Sequence, residues 1–158
     1  MSKRRITIAS IAKLNRENIT SKNTPENIYY LDTGNITKNT INSLQYLEKK
    51  NDKYPSRAKR IVKDRTIIYS TVRPNQEHFG ILSNPNKNLI VSTGFTTIDV
   101  LDNDVDPFYL YYLLTRKEIT NYLHIVGASQ KCKNINTMKL KKNCWDKHTD
   151  VLKPVEHF

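Results

Sequence analysis

The chain has 158 residues, which is enough for one domain with a buried core. Its 26 Lys and Arg against 15 Asp and Glu give a formal net charge of +11, which favours an acidic partner, above all nucleic acid. With two cysteines and no apolar run of membrane-spanning or signal-peptide length, it is expected to be a cytoplasmic protein without a disulfide framework or a zinc site.

The N-terminal part of the chain contains short, mixed signals. Residues 6–14, ITIASIAKL, begin in a strand pattern and continue in the pattern of a short helix, and the pattern leaves the order of the two elements open. Residues 27–36, NIYYLDTGNI, predict a strand that runs into a Thr-Gly-Asn turn. In that turn Gly34 can take a positive φ and Asp32 can bond the local backbone.

The middle of the chain supplies the central strands. Residues 37–60 predict a polar loop with isolated apolar anchors and an exposed basic end. That basic end consists of Arg57, Lys59 and Arg60. The β-branched stretches at 61–72 and 88–100 alternate in side-chain character and predict two central strands.

A helical region follows near 106–126. Asp106 can cap it, and Pro107 suits the first helical position because its missing N–H has no partner there. The apolar phase then shifts, and Thr115 with Glu118 forms a capping-box pattern, so we predict two successive helices. GASQ at 127–130 ends the helical pattern, and residues 131–142 alternate like a final strand.

These elements predict one domain. The chain lacks the residue sets that catalysis requires, since its four histidines are scattered and no Walker loop or dinucleotide fingerprint occurs. The aspartates of DVLDNDVD lack the glycine and glutamate of a calcium loop. We therefore predict no enzyme activity and no metal site.

The stretch from 66 to 95 is suited to contact with DNA. Phosphates are met by cations, and base edges by Ser, Thr, Asn, Gln and Arg. Arg73 is directed by the following Pro74, and Asn75 and Gln76 stand beside it. Ordinary solvated loops, with lysines serving only solubility, would explain the same residues.

Ser92 and Thr93 precede Gly94, which would let another backbone approach closely, although a β-bulge would also explain this glycine. The loop GASQKCKNIN, at 127–136, has small residues followed by amides and lysines, a composition suited to a phosphate backbone.

The order of these pieces is typical of one family. IIYSTVRP, LIVSTGF, DPFYLYYLLT, and GASQ followed by NINTMKL together resemble the target-recognition domain of the DNA-specificity subunit of type I restriction-modification systems. The resemblance extends from about Ile6 to Leu140.

The resemblance implies one α/β domain of the α+β kind over residues 1–140, with a mainly antiparallel or mixed sheet. Such a module is not itself an enzyme and needs no cofactor. Such a domain reads half of a bipartite sequence in double-stranded DNA and positions methyltransferase subunits, which use S-adenosylmethionine; the endonuclease (restriction) subunit is a further partner. By resemblance, Tyr69, Thr71 and Arg73 lie where a strand enters a recognition loop. The DNA-binding residues expected in this chain are Tyr69, Thr71, Arg73, Asn75, Gln76, Ser92, Thr93, Gly94, Gln130, Lys131, Lys133, Asn134 and Asn136.

Two features depart from the family. A full specificity subunit has two such domains separated by long coiled-coil helices, whereas this chain has one domain and no heptad segment, so a homodimer could restore a two-part reader. Residues 141–158 lack the family's apolar-Pro-Leu-Pro-Pro exit, and we interpret them as an atypical tail from a truncated or frame-shifted end. A fragment that binds methyltransferase without reading DNA is the main alternative. A small histidine-dependent nuclease is the third, although the sequence offers no paired ligands for it.

Overall fold

A computed structural model of the chain describes residues 7–70 and 72–121, without the side chain of Pro74. The described residues contain ten strands, two complete helices, two short 3-10 turns and the start of a further helical segment at 117–121. The helices are α1 (Ile8–Ile11) and α2 (Pro107–Leu114), and the 3-10 turns are Thr33–Asn35 and Pro74–Gln76. The strands are β1 (Ala12–Leu14), β2 (Asn27–Leu31), β3 (Ile36–Thr37), β4 (Thr40–Ile41), β5 (Gln45–Glu48), β6 (Ala58–Ile61), β7 (Ile67–Ser70), β8 (Phe79–Ile81), β9 (Leu89–Ser92) and β10 (Phe95–Val100).

Eight of these strands form two sheets. The first sheet has the order β1-β10-β7-β8 and is antiparallel throughout. The second sheet has the order β5-β2-β9-β6 and is mixed, because β2 and β9 run parallel. β3 and β4 form a separate hairpin. The predicted fold class is confirmed, while the division into two sheets was not predicted.

Strand β7 lies at the centre of the packing and is buried on both faces. Ile67 and Tyr69 pack in a core with α1 and α2, whereas Ile68 packs with Val91 and Phe95 in a core between the sheets. Side chains that alternate along a strand point to opposite faces, so one short strand joins the two cores. The prediction that 61–72 and 88–100 supply central strands is confirmed.

The stretch from 88 to 100 contains two strands that belong to different sheets. β9 ends at Ser92 in the second sheet, and β10 begins at Phe95 in the first sheet. Thr93 and Gly94 therefore carry the chain from one sheet to the other. This change of sheet brings the ends of both sheets together.

Two local predictions are wrong, and one order left open by the sequence is resolved. In 6–14 both a helix and a strand occur, and the helix comes first, because Ile8 and Ile11 share the buried face of one helical turn and β1 then pairs with β10. The predicted loop at 37–60 contains β5 and β6, which are short and outermost in their sheet and so carry few apolar residues. Gly34 lies in a 3-10 turn without positive φ. Asp32 does accept a hydrogen bond from the Thr33 N–H at 2.8 Å.

The helical predictions are confirmed as far as the described residues extend. Asp106 caps α2 by accepting a hydrogen bond from the Phe108 N–H at 2.7 Å. α2 ends at Leu114, and a second helical segment occupies 117–121. The Thr115 hydroxyl donates to the Tyr112 carbonyl at 3.4 Å, so it closes the end of α2, whereas the capping-box pattern predicted it at the start of the next helix. The predicted final strand at 131–142 and the tail at 141–158 lie outside the described residues.

A buried tyrosine of α2 makes stability depend on pH. Burial raises the pKa of Tyr111 from 10.0 to about 12. The folded state therefore holds the phenol proton more tightly than the unfolded state, and this contribution to stability is present below pH 10 and lost as the pH rises toward about 12. Between pH 8 and pH 11, we expect the free energy of unfolding, measured in urea, to fall less for Tyr111→Phe than for the original chain. Equal falls would contradict this role.

Within the described residues, no helix is long and apolar enough to span a membrane.

Candidate nucleic-acid interface

Loops from both sheets meet at one end of the structure. β7 ends at Ser70, which is paired with Phe95 at the start of β10. β9 ends at Ser92 opposite Ala58, and the next N–H, that of Thr93, donates to the Arg57 carbonyl at 2.8 Å. We call this end the loop edge and define it by residues 32–35, 57, 72–78 and 93–94.

The loop from 72 to 78 carries three of the predicted DNA-binding side chains. Arg73, Asn75 and Gln76 are all exposed and lie within or next to the 3-10 turn Pro74–Gln76. The backbone on each side of this turn is left-handed, with φ 57° at Arg73 and φ 57° at Glu77. Non-glycine residues adopt this conformation at a cost of about 1–3 kcal/mol. The surrounding structure must therefore hold the loop in place.

The hairpin of β3 and β4 holds that loop from one side. Lys38 and Asn39 both have positive φ, as the tight type I′ hairpin turn requires. The Lys38 ammonium pairs with the Glu77 carboxylate at 3.0 Å, and the Lys38 N–H donates to the Glu77 carbonyl at 3.0 Å. The His78 Nδ1 lies 2.6 Å from the Ile36 carbonyl. The hairpin and the loop are thus joined by both backbone and side-chain contacts.

Gly80 provides the space for this docking. A Cβ at position 80 would lie 2.7 Å from Ile36 Cδ1 and 2.9 Å from Asn39 Oδ1. Asn39 cannot easily move away, because its Oδ1 accepts from the Ile81 N–H at 2.9 Å and its N–H donates to the Phe79 carbonyl at 2.9 Å. The β8 glycine therefore permits the hairpin to lie directly on the loop.

Gly94 serves the second part of the loop edge in the same way. A Cβ at position 94 would collide with Nη2 of Arg57 and would lie 2.6 Å from Thr33 Cγ2. The glycine has no positive φ, so its role is to provide space for Arg57 and Thr33. Arg57 is exposed there and was identified from the sequence only as part of a basic cluster. Only the pairing of β6 with β9 places it beside Thr93.

Three predicted DNA-binding residues, Tyr69, Ser92 and Gly94, are buried, so they are not available for direct contact with DNA. Tyr69 is 1% exposed, stacks on Phe79 with ring centroids 5.4 Å apart, and has its hydroxyl 3.4 Å from Thr120 Oγ1. Ser92 is 0% exposed, and its hydroxyl accepts from the Gly94 N–H at 3.2 Å. Both residues lie in the protein interior, at the ends of the strands that lead into the loop edge. Gly94 is buried as well, whereas Thr93 is exposed.

As defined, the described part of the loop edge has no net charge, and it becomes positive only when Lys38 of the hairpin is added. Arg57 and Arg73 stand against the carboxylates of Asp32 and Glu77, and Lys38 of the hairpin neutralises Glu77. Six of the predicted site residues lie outside the described residues. These are Thr71, Gln130, Lys131, Lys133, Asn134 and Asn136. The structure therefore brings together Arg73, Asn75, Gln76 and Thr93, and adds Arg57.

Comparison with known proteins agrees with the resemblance. No protein-family model matches the chain. Over 104 residues, or 66% of its length, it is 30% identical to the type I restriction enzyme HindI specificity subunit of Haemophilus influenzae (strain Rd), of which it spans 22%. The predicted resemblance to a specificity-subunit domain is thus confirmed over about a fifth of that protein's length.

Two solved structures share the fold. The HsdS subunit of Thermoanaerobacter tengcongensis superposes with a TM-score of 0.63 and 24% identity, over 75% of this chain and 30% of that one. A chain from a type I restriction-modification system, whose structure addresses complex assembly and conformational transition, superposes with a TM-score of 0.66 and 23% identity. That match covers 89% of this chain and 35% of the other.

Proposed function

We propose that this chain, which resembles type I specificity subunits in both sequence and fold, is a non-catalytic DNA-recognition module of a type I restriction-modification system. It reads one half of a bipartite target in double-stranded DNA. The observation that carries the proposal is the loop edge, where Arg57, Arg73, Asn75, Gln76 and Thr93 are exposed together on a loop system that buried residues hold rigid.

The chemistry of these side chains suits such a role. Guanidinium groups bond phosphates or guanine, and the amides of Asn and Gln bond adenine edges. The loop is also held in place before any partner arrives, because the hairpin fixes it through Lys38 and His78. A rigid loop loses less conformational entropy on binding than a flexible one.

The partners follow from the same proposal. The module positions methyltransferase subunits, which carry S-adenosylmethionine, and the restriction subunit joins the same assembly. It binds no cofactor of its own and acts in the cytoplasm. A second copy, or a second domain of the same kind, supplies the other half of the reader. Lys131, Lys133 and their neighbouring amides add contacts to the phosphate backbone.

Salt dependence tests the proposal. Sequences bound from a pool of random duplexes are selected with the chain alone and with a methyltransferase subunit, and affinity is then measured at several salt concentrations. We expect log affinity to fall with log salt by about 0.9 per phosphate contacted, and Arg73→Ala to reduce this slope by about 0.9 if Arg73 bonds a phosphate. A flat salt response would contradict the proposal. If the chain retained the methyltransferase subunit but bound no duplex, the result would favour the alternative, a fragment that binds methyltransferase without reading DNA.

Arg65→Ala is a matched control for Arg73→Ala. Arg65 is also exposed, and its φ of 63° is close to the 57° of Arg73. It lies before the start of β7, at the opposite end of that strand from the loop edge. We expect its replacement to leave both affinity and slope nearly unchanged, so that any effect common to both variants would be assigned to net charge or to strain.

A further inference from the structure

His78 links the hairpin to the side chain of Gln76. Its Nδ1 lies 2.6 Å from the Ile36 carbonyl oxygen, and because a carbonyl only accepts, Nδ1 must carry the proton. In the neutral imidazole, Nε2 is then an acceptor. In the structure the Gln76 Oε1 lies 3.2 Å from Nε2, which would set two acceptors against each other. The amide oxygen and nitrogen exchange places by rotation about the last side-chain bond, and only the NH2 group can bond an acceptor nitrogen, so the NH2 faces His78.

This arrangement determines what Gln76 presents to solvent. The amide nitrogen has two N–H groups, and the one directed away from the carbonyl oxygen is available to bond Nε2 of His78. The other N–H stays beside the carbonyl oxygen on the exposed side. An acceptor next to a donor matches adenine in the major groove, where N6–H donates and N7 accepts.

The position of Gln76 is also set by the backbone. The described residues include eight non-glycine residues with positive φ, and four of them are asparagines, which tolerate this conformation. Of the other four, three belong to this loop and its supporting hairpin. They are Lys38, Arg73 and Glu77. Strained backbone that surrounding contacts maintain is concentrated at functional sites, and here it fixes the turn that carries Gln76.

We propose that Gln76 reads an adenine in the major groove of the bound DNA, with His78 as the positioning residue that orients its amide. This inference rests on the proposed function and goes further, because it assigns one base to one residue. His78 touches no base itself. It acts by holding one N–H of Gln76, which leaves the oxygen and the other N–H aligned for a bidentate contact.

The test is selection from random duplexes, for the original chain and for Gln76→Ala, with the methyltransferase subunit present in both. We expect the original chain to prefer adenine about tenfold or more at one position and Gln76→Ala to lose the preference at that position alone. Asn103→Ala is the matched control, because Asn103 is also an exposed amide but follows the end of β10, at the opposite end of that strand from the loop edge. It should leave that adenine preference intact.

Two further measurements separate base reading from general binding. Replacing that adenine by 7-deazaadenine removes the N7 acceptor, so the original chain should lose affinity about as much as Gln76→Ala does on the natural duplex, and Gln76→Ala should lose none. His78→Phe should weaken the same adenine preference while the salt slope stays unchanged, because phosphate contacts remain. Its thermal unfolding is measured alongside to verify that the variant is folded.

The outcomes distinguish this inference from the function on which it rests. An adenine preference that survives Gln76→Ala, a Gln76-dependent position that selects another base, or indifference to 7-deazaadenine would overturn the assignment while leaving DNA recognition in place. Absence of salt-sensitive duplex binding by the original chain would overturn both. Loss of preference in Gln76→Ala together with the 7-deazaadenine effect would establish the assignment.

Discussion

Replacement of Phe95 by alanine should lower the free energy of unfolding by about 3–5 kcal/mol, the range found when a buried aromatic ring is removed from a core. Phe95 is 1% exposed and packs between the sheets with Ile68 and Val91. It is also the first residue of β10 and is paired with Ser70. The loss therefore combines the transfer of the ring to water with a cavity at the point where the chain changes sheet.

Urea denaturation monitored by circular dichroism measures this effect. Tyr46→Ala is the control, because Tyr46 is an aromatic residue of strand β5 but is 49% exposed. Apart from the loss of its ring contact with Tyr29, its replacement should change the free energy of unfolding by well under 1 kcal/mol. If Phe95→Ala and Tyr46→Ala had similar effects, the core between the two sheets would not be the main source of stability.

Gly94→Ala should weaken DNA binding about tenfold or more while leaving the chain folded. The new methyl group would occupy the space that Arg57 and Thr33 now fill. The guanidinium is the flexible end of a long side chain, so Arg57 would move away, and the contact with DNA that we propose for it would be lost. A hydrogen bond to a charged group contributes about 1.5–3 kcal/mol, and each 1.4 kcal/mol is a tenfold change in affinity.

A double-mutant cycle identifies the cause. If Gly94 acts by making room for Arg57, then Gly94→Ala should have little additional effect on affinity in a chain that already carries Arg57→Ala. Affinity is measured by duplex titration at one fixed salt concentration, with unfolding followed in parallel. Fully additive effects on affinity would show that Gly94 serves DNA binding by another route, and a large loss of stability would point to Thr33 as the group that cannot yield.

The features that could be predicted from the sequence depend on local chemistry. The Asp106 cap, the helix that begins at Pro107 and the buried β-branched strands follow from residues within a few positions of one another. The exposed trio Arg73, Asn75 and Gln76 was predicted for the same reason, since an Arg-Pro turn leaves its neighbours on the surface.

The features that could not be predicted depend on contacts between distant segments. Arg57 reaches the loop edge only because β6 pairs with β9, and β6 itself reads as polar because it is outermost in its sheet. Gly80 gave no sign of what would fill the space beside it, and at Gly94 we predicted a close backbone, whereas the side chains of Arg57 and Thr33 lie there. Tyr69 and Ser92 have side chains suited to DNA, yet the second sheet and the helical segment bury them.

The pairing of β1 with β10 has a consequence for how the chain folds. Ala12 lies opposite Val100, so the first sheet is completed by segments from nearly opposite ends of the described chain. Contacts between residues far apart in sequence slow folding, because the intervening loop must close first. During synthesis, the two isoleucines of α1 must therefore remain without their final neighbours until β10 has left the ribosome. In that interval β1 is an open edge that chaperones or other nascent chains can contact.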